Sequence, residues 1–429
     1  MKITNGNIPK TNMKYVTVNT NCGNKIIASI RINVGSRDET NELCGLAHCL
    51  EHMFFQGTTK YPTSKDLEVE LYKCDGTFNA YTSQDSTVFY IISTKKCIKK
   101  AIEILSDSFY NSLFRESDLE KEKKVVINEI NDNLSDPSYL RWKGLDELSF
   151  KNTRLEKTVA GEKSSVNKLN INILKNFINT YYKKDIIISI SGNIKNERSL
   201  SLIKEYFNKN CNYPVDSKMH KIIDDKERIL YKDHLFKQGQ FQMKYIHKKV
   251  EQTFVAISFP SYKYTDEKNY IISYISELLT GYIGSRLMNV LRDKYGLVYD
   301  ISTSNISFED FGRFTISFST NNDIEKITKC IVLIFNELND LKYNVTKKEF
   351  NYVRSNLIEW TKNRKNNEIW LSENSMEELY YNGKITSLKQ MMEKTKKVTI
   401  NDIFNVSNDI FKPEFCSLCY TGKDKILFK

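Results

Sequence analysis

The sequence predicts an α+β protein built from two homologous halves, each a mainly antiparallel sheet covered by helices. The first observation is that runs rich in β-branched residues stand in groups and are followed by several helices, instead of alternating with single helices. The second is that the same order of elements starts again after a polar stretch, which indicates an internal duplication. The third is the length of 429 residues, which exceeds one ordinary hydrophobic core.

In the first half, β-branched and aromatic runs bounded by turn residues predict strands at 14–20, 25–34, 77–83, 86–94 and 185–194. Apolar residues spaced three or four apart predict helices at about 42–55, 64–74, 97–112, 117–134 and 165–182. The last strand ends at a glycine turn, which closes the half.

After a polar and irregular stretch around Pro214, the second half is predicted to contain strands at 240–248, 253–259, 298–304, 312–320 and 414–420. Helices are predicted near 268–279 and 284–293, with further helices before the final strand. The sequence therefore predicts a first domain at 1–212, a linker at 213–235 and a degenerate second repeat at 236–429.

Charge and hydropathy exclude several classes of protein. The formal net charge is +11, but the lysines are dispersed and form no single basic block, so nucleic acid is not an expected partner. No stretch approaches the ~18 uncharged apolar residues that would span a bilayer. Because the first twenty residues resemble neither a signal peptide nor a transit peptide, we expect a cytoplasmic protein.

The nine scattered cysteines do not resemble a disulfide framework, and reduced thiols are the simpler interpretation. Cys416 and Cys419 form a CxxC, but their segment has the composition of a buried strand. No second CxxC or nearby histidine completes a metal set there. We therefore expect these two cysteines to belong to the core.

The helix predicted at 42–55 contains the segment GLAHCLEHMFF, in which His48, Glu51 and His52 interrupt an apolar sequence. At 3.6 residues per turn, His48 and His52 lie on one face about 5 to 6 Å apart, with Glu51 beside them. The alternative is a helix that only carries polar residues on its surface. Two of only five histidines in the chain flank this glutamate, however, and a buried carboxylate beside two imidazoles is costly unless it is paired or metal-bound.

Two neutral imidazoles suit a catalytic Zn²⁺, which keeps three protein ligands and one position for water. A neighbouring carboxylate can then act as the general base, and this role is assigned to Glu51. The HxxEH order is the inverse of HExxH and matches the inverzincins.

On these residues the sequence resembles a peptidase of the pitrilysin or insulinase family, in the branch that contains the processing peptidases. The resemblance implies a third zinc ligand that follows the motif after 76 residues, and this position is Glu129. It also implies that Glu122, two helical turns earlier, orients a histidine ligand. An exposed glutamate among lysines is the alternative for Glu122.

The resemblance extends to two further segments. GTFNAYTSQDSTVFY is similar to the family's edge strand beside the zinc, which implies that Asn79 and Ala80 bind substrate backbone. GSRLMNVLRDKYGLVYDIST is similar to the segment that supplies an arginine and a tyrosine to the substrate and the oxyanion, here Arg292 and Tyr299. A surface arginine and a core tyrosine are the alternatives for this pair.

The sequence thus predicts a zinc-dependent endopeptidase that binds one Zn²⁺ per chain and cleaves extended peptides or unfolded protein segments. Two rival functions remain: a catalytically silent subunit of a processing-peptidase-like complex, and a peptide-binding module that keeps its metal for stability. Family members of this length hold two repeats, whereas long members hold four. The resemblance therefore implies a homodimer, or a heterodimer with a related subunit, in which Arg292 and Tyr299 serve the partner's zinc.

Overall fold

The computed structural model describes residues 1–183, 185–214 and 240–425. The chain divides into two compact units, and neither is a contiguous segment. Unit 1 comprises Met1–Asn131, Lys157–Ile229 and Asn363–Thr386. Unit 2 comprises Asp132–Glu156, Leu230–Lys362 and Ser387–Lys429.

Unit 1 is built on a six-stranded sheet with the order β1-β2-β6-β3-β5-β4. Its strands are β1 (Lys2–Asn7), β2 (Met13–Asn19), β3 (Lys25–Ile32), β4 (Thr77–Thr82), β5 (Thr87–Thr94) and β6 (Ile186–Gly192). Neighbouring strands are antiparallel except β2 and β6, which are parallel. The strand β4 therefore lies at an edge of the sheet.

Unit 2 is built on a five-stranded sheet with the order β7-β11-β8-β10-β9. Its strands are β7 (Gln242–His247), β8 (Gln252–Ser261), β9 (Ile301–Ser307), β10 (Gly312–Asn321) and β11 (Ser417–Gly422). Only β7 and β11 pair in parallel. The order and the directions match those of unit 1 strand for strand, apart from β1. The predicted fold class, two similar halves with mainly antiparallel sheets, is thereby confirmed.

Helices cover both sheets. In the first part of the chain they are α1 (Leu46–Met53), α2 (Ser64–Tyr72), α3 (Ile98–Asn111), α4 (Glu116–Ser135), α5 (Pro137–Ser149), α6 (Lys163–Val166), α7 (Ile171–Tyr181) and α8 (Asn196–Tyr206). In the second part they are α9 (Asn269–Thr280), α10 (Ile324–Asp340), α11 (Lys347–Asn363), α12 (Glu368–Tyr381), α13 (Leu388–Lys397) and α14 (Ile400–Ile410). In the ranges that the structure describes, no helix is long and apolar enough to cross a membrane.

The compact units do not follow the contiguous boundaries predicted at 1–212 and 236–429, because two helices belong to the unit built mainly from the other half. Helix α5 is part of unit 2, and α12 is part of unit 1. Most of the predicted linker at 213–235 lies outside the described residues. That linker and the assignment of a role to each half stay predictions.

Helix α12 covers a polar face of the unit 1 sheet. Alternate residues of β3 and β6 pack into the hydrophobic core on one face, so the intervening serines and Arg31 lie on the other. Ser372 of α12 hydrogen-bonds there to Ser29 (3.2 Å) and Ser189 (3.0 Å). The Arg31 Nη1 donates to Glu377 Oε1 at 3.1 Å. Helix α12 therefore supplies hydrogen-bond partners to polar side chains that are almost fully buried in this sheet.

Most predicted elements appear within a few residues of their expected bounds, but two helices differ. The predicted helix at 165–182 is split into α6 and α7, because the Asn170 side chain accepts the Ile173 N–H and starts a new helix. The predicted helix at 284–293 is π-helical over Met288–Lys294. The strand β1 and the helices α5 and α8 were not predicted.

Candidate metal centre

Helix α1 carries the HxxEH segment, and its first turn is fixed by a buried carboxylate. Glu39 accepts the backbone N–H groups of Gly45 (2.8 Å) and Ala47 (2.7 Å). Gly45 has φ +90, and a Cβ there would lie 2.5 Å from the Ala160 carbonyl oxygen. Only glycine suits this conformation, so the start of α1, and with it the position of its histidines, is closely defined.

His48 and His52 lie on one face of α1, with ring centroids 4.8 Å apart and planes at 73°. The remaining faces of the helix are apolar and buried. Burial and, to a smaller extent, the neighbouring His52 together lower the pKa of His48 to about 4. His48 is therefore neutral near pH 7, which is the form that binds a metal.

Helix α4 brings Glu129 to the two imidazoles. Its Oε2 lies 3.7 Å from His48 Nε2 and 3.9 Å from His52 Nε2. Two ligands of one tetrahedral zinc ion at about 2.1 Å would be separated by roughly 3.4 Å. The observed distances are too long for hydrogen bonds and close to that spacing, and the three donor atoms lie within 4.8 Å of one another. The predicted ligand set fits a zinc ion.

Glu122 lies behind His52, on the same face of α4 as Glu129. Its Oε2 is 2.9 Å from His52 Nδ1, and the glutamate side chain is only 14% exposed. Burial acts to lower the pKa of His52, but the hydrogen bond to Glu122 and the carboxylates of Glu51 and Glu129 outweigh it, so the pKa is raised. The contact leaves Nε2 of His52 for a metal, as expected for an orienting carboxylate. Among the described residues, His48 Nδ1 has no such partner.

Glu51 lies on α1 beside the histidines, as predicted, and it has a further contact with Thr82 that was not predicted. Burial raises the pKa of its carboxyl group, an effect that the hydrogen bond from Thr82 opposes. The Thr82 Oγ1 donates to Glu51 Oε2 at 2.6 Å. Sequence reasoning missed Thr82 because its contact with α1 joins residues 31 positions apart, and it missed Glu39 because helix and strand periodicity does not define the conformation of the segment before α1.

The strand β4, predicted to bind substrate backbone, is an edge strand of the unit 1 sheet and contacts α1. Asn79 is exposed, and its Oδ1 accepts the N–H of Ala80 at 2.8 Å. Ala80 is half-buried against the hydrophobic core. The geometry is suitable for pairing with an extended peptide, while the roles of these two residues stay predictions.

Arg292 and Tyr299 belong to unit 2 and contact each other. The guanidinium carbon of Arg292 lies 5.4 Å from the centroid of the Tyr299 ring, within the range of a cation–π interaction. Arg292 lies in the π-helical segment, a rare geometry that is frequent at functional sites. Tyr299 is 81% exposed, so the alternative of a core tyrosine is wrong. Whether the pair serves catalysis stays a prediction.

His48 and His52 on α1, together with Glu129 and Glu122 on α4, form a group of side chains typical of the metallohydrolase class, on a duplicated α+β fold. Comparison with known proteins gives the family. Residues 14–163 match the family described as Insulinase (Peptidase family M16), and residues 168–357 match the one described as Peptidase M16 inactive domain. The chain belongs to the insulinase family of peptidases, which confirms the resemblance drawn from HxxEH.

Similar proteins agree with this assignment. An uncharacterized zinc protease of Rickettsia felis is 26% identical over 411 residues, covering 94% of this chain and 93% of the relative. The mitochondrial-processing peptidase subunit beta of Bos taurus is 33% identical over 177 residues, covering 41% of this chain and 36% of the relative. A protease from Helicobacter pylori has the same fold, with a TM-score of 0.86 at 19% identity, covering 98% and 99% of the two chains. Family and site together support a metallopeptidase.

Proposed function

We propose that this chain is a zinc-dependent endopeptidase that hydrolyses extended peptides or unfolded protein segments with metal-activated water. The observation that carries the proposal is the convergence of His48 and His52 of α1 with Glu129 of α4, whose donor atoms lie within 4.8 Å of one another, with the Glu51 carboxyl group also on α1. This is the donor set of a catalytic zinc site, in which three protein ligands leave one coordination position open.

The chemistry divides between the metal and the chain. A zinc ion at this site, when bound, supplies Lewis acidity that polarises a carbonyl group and lowers the pKa of water. Glu51 takes the proton from the attacking water and passes it to the leaving amine. Thr82 donates to the Oε2 of this carboxylate, and Oε1 is proposed to accept the proton. Glu122 keeps the Nε2 of His52 available as a ligand.

The substrate is proposed to add to β4 as a further strand. An edge strand presents unpaired backbone groups, and an extended peptide can satisfy them without any particular side chain. Asn79 and Ala80 lie in this strand, whose last residue, Thr82, contacts the proposed base. Such pairing would favour extended or unfolded segments, because most backbone groups of a folded partner are already paired within its own helices and sheets.

Exchange of Glu51 for glutamine tests the mechanism. We expect Glu51→Gln to keep near-normal zinc affinity and to cleave a peptide library at a rate lower by roughly 10² or more, since the amide cannot accept the proton. Glu42→Gln, a matched change at an exposed position before α1, should leave the rate unchanged. Wild-type turnover by Glu51→Gln would refute the proposal.

Exchange of Glu129 tests the metal site separately. We expect Glu129→Gln and Glu129→Ala to weaken zinc binding, because each opens the ligand set. Asp132→Asn removes a charge from an exposed position of the same helix and should have no such effect. A folded Glu129→Ala protein with wild-type zinc affinity would exclude Glu129 as a ligand.

Cleavage of a peptide library by the wild-type protein, with and without a chelator, separates the proposal from its rivals. A silent subunit would cleave no peptide with or without a chelator. A peptide-binding module that keeps metal for stability would also cleave no peptide, but it would unfold when the metal is removed. The cytoplasmic location stays a prediction. All nine cysteines lie at described positions and are free thiols, consistent with a reducing compartment.

The active form is proposed to be a dimer, with an identical or a related subunit, in which Arg292 and Tyr299 act on the partner's site. Support comes from the exposed Tyr299 and from the similarity to a subunit of the mitochondrial-processing peptidase. Complementation tests it. Refolding Glu51→Gln together with Arg292→Ala/Tyr299→Ala should restore about a quarter of wild-type activity, since half the dimers are mixed and each holds one intact composite site.

A mixture of Glu51→Gln with Glu129→Ala is the matched control, because both changes damage the zinc-binding unit and no combination restores an intact site. Recovery in this control would mean subunit exchange with contaminating wild-type protein. Mixed dimers of the first pair without recovered activity would place the action of Arg292 and Tyr299 in their own chain.

A further inference from the structure

Thr82 makes a short hydrogen bond to the proposed base. Its Oγ1 lies 2.6 Å from Glu51 Oε2, at the short end of the range for a hydroxyl that donates to a carboxylate. Both side chains are partly shielded from solvent, which strengthens the interaction relative to water. The contact joins residues 31 positions apart in the chain, so it exists only in the folded protein.

The position of the hydroxyl group is fixed by the strand that carries it. Thr82 ends β4, where it pairs in register with Thr87 of β5. Side chains alternate along a strand, so Phe78, Ala80 and Thr82 lie on the same face. That face packs towards the end of α1, since the Phe78 ring stacks on Phe55, two residues after the helix, with centroids 4.3 Å apart. A β-branched side chain on a paired strand has little rotamer freedom, so the donor is held in place before any substrate binds.

We propose that Thr82 is the positioning residue for Glu51, selecting the side-chain conformation in which one carboxylate oxygen is available for proton transfer. The inference rests on the proposed function of Glu51 as the base. A glutamate has three rotatable bonds, and without the hydroxyl group its carboxylate would distribute over several conformations. Because Thr82 stands at the end of the proposed substrate strand, the same strand would align both the peptide and the base.

The test compares Thr82→Val, which keeps the shape and removes the donor, with Thr82→Ser, which keeps the donor. We expect Thr82→Val to lower kcat by about 10- to 100-fold, the usual effect of removing a supporting hydrogen bond, with KM and zinc affinity within about twofold of wild type. Thr82→Ser should restore most of kcat. Thr4→Val is the matched control, because its Oγ1 bonds to Thr17 Oγ1 at 2.7 Å on the opposite edge strand of the sheet.

A structural measurement complements the kinetics and requires no activity. Crystal structures of zinc-free wild type and Thr82→Val should show Glu51 in one conformation in the former and in a different conformation, or several, in the latter. Single-turnover rates in the Glu51→Gln background should show no further loss from Thr82→Val, because a residue that acts through Glu51 has nothing left to position.

Three results would overturn the inference: wild-type kcat in zinc-loaded Thr82→Val, a loss confined to KM, or the same loss of kcat with and without Glu51. The proposed function fails on a different result, which is wild-type turnover by Glu51→Gln. If Glu51→Gln is inactive while Thr82→Val turns over normally, the proposed function stands and only the role of Thr82 is lost.

Discussion

Replacing Glu122 by glutamine would remove the negative charge that holds His52 while preserving the shape of the side chain. The contact to His52 Nδ1 is 2.9 Å long and largely shielded, since the glutamate is only 14% exposed. A hydrogen bond to a charged group contributes about 1.5–3 kcal/mol, roughly twice a neutral one. Glutamine retains a neutral hydrogen bond, so the free energy of zinc binding should weaken by about 1–1.5 kcal/mol. This corresponds to a zinc dissociation constant close to tenfold higher.

Glu122→Ala removes the bond altogether and should weaken zinc binding by about 100-fold, the upper end of the usual effect of such partners. The assay is competition for zinc with a chromophoric chelator at fixed pH. Glu120→Gln is the control, because this residue lies on the same helix and pairs with Lys123 instead. Equal zinc affinity in Glu122→Ala and wild type would show that packing alone orients His52.

Three further predictions concern the start of α1, the extent of the folding unit and pH. Gly45→Ala should lower the free energy of unfolding by about 2 kcal/mol or more, measured by urea denaturation, because φ is +90 and the new Cβ would meet the Ala160 carbonyl. A fragment of residues 1–214 should fail to fold cooperatively by circular dichroism, because it lacks α12. Zinc affinity should fall about tenfold per pH unit below the raised pKa of His52, and more steeply below about 4, where His48 also binds a proton.

The pH prediction follows from the directions of the two shifts. The pKa of His52 is raised above its ordinary value of 6.5, so protons already compete with zinc for this residue above pH 6.5. The pKa of His48 is lowered to about 4, so protons compete with zinc for this residue only near pH 4. Calorimetry in buffers of different ionisation enthalpy would count the protons that zinc displaces. Release of two histidine protons near pH 6 would contradict the pH expectation. Cooperative folding of fragment 1–214 would contradict the expectation for the folding unit. A Gly45→Ala protein with the wild-type free energy of unfolding would contradict the expectation for α1.

Local pattern was sufficient to predict α1 and the relation between His48 and His52. The geometry of a helix fixes which residues share a face, so an i, i+4 pair of histidines around Glu51 must converge wherever the helix packs. The strands β4 and β5 were predictable for a similar reason, since β-branched runs bounded by turn residues need no distant partner to be recognised. The position of Glu129 came from the family resemblance, and periodicity could not have supplied it.

The assignment of α5 and α12 to the unit built mainly from the other half could not be predicted from local pattern. The polar outer faces of the strands in unit 1 resemble solvent-exposed faces in the sequence, yet Ser29 and Ser189 are almost completely buried beneath α12. Which helix covers them depends on contacts between residues more than 180 positions apart. Period-2 alternation indicates that a face is polar, but not whether another element will cover it.

The sequence by itself determined the two-fold repetition, the sheet-and-helix composition and the placing of His48, Glu51 and His52 at one position on a helix, because each depends on local pattern along the chain. Only the tertiary structure decided that α12 covers Ser29 and Ser189 and that Thr82 bonds to Glu51. The reason is physical: a hydrogen bond between distant segments depends on how those segments pack, and packing is settled by burial over the whole unit.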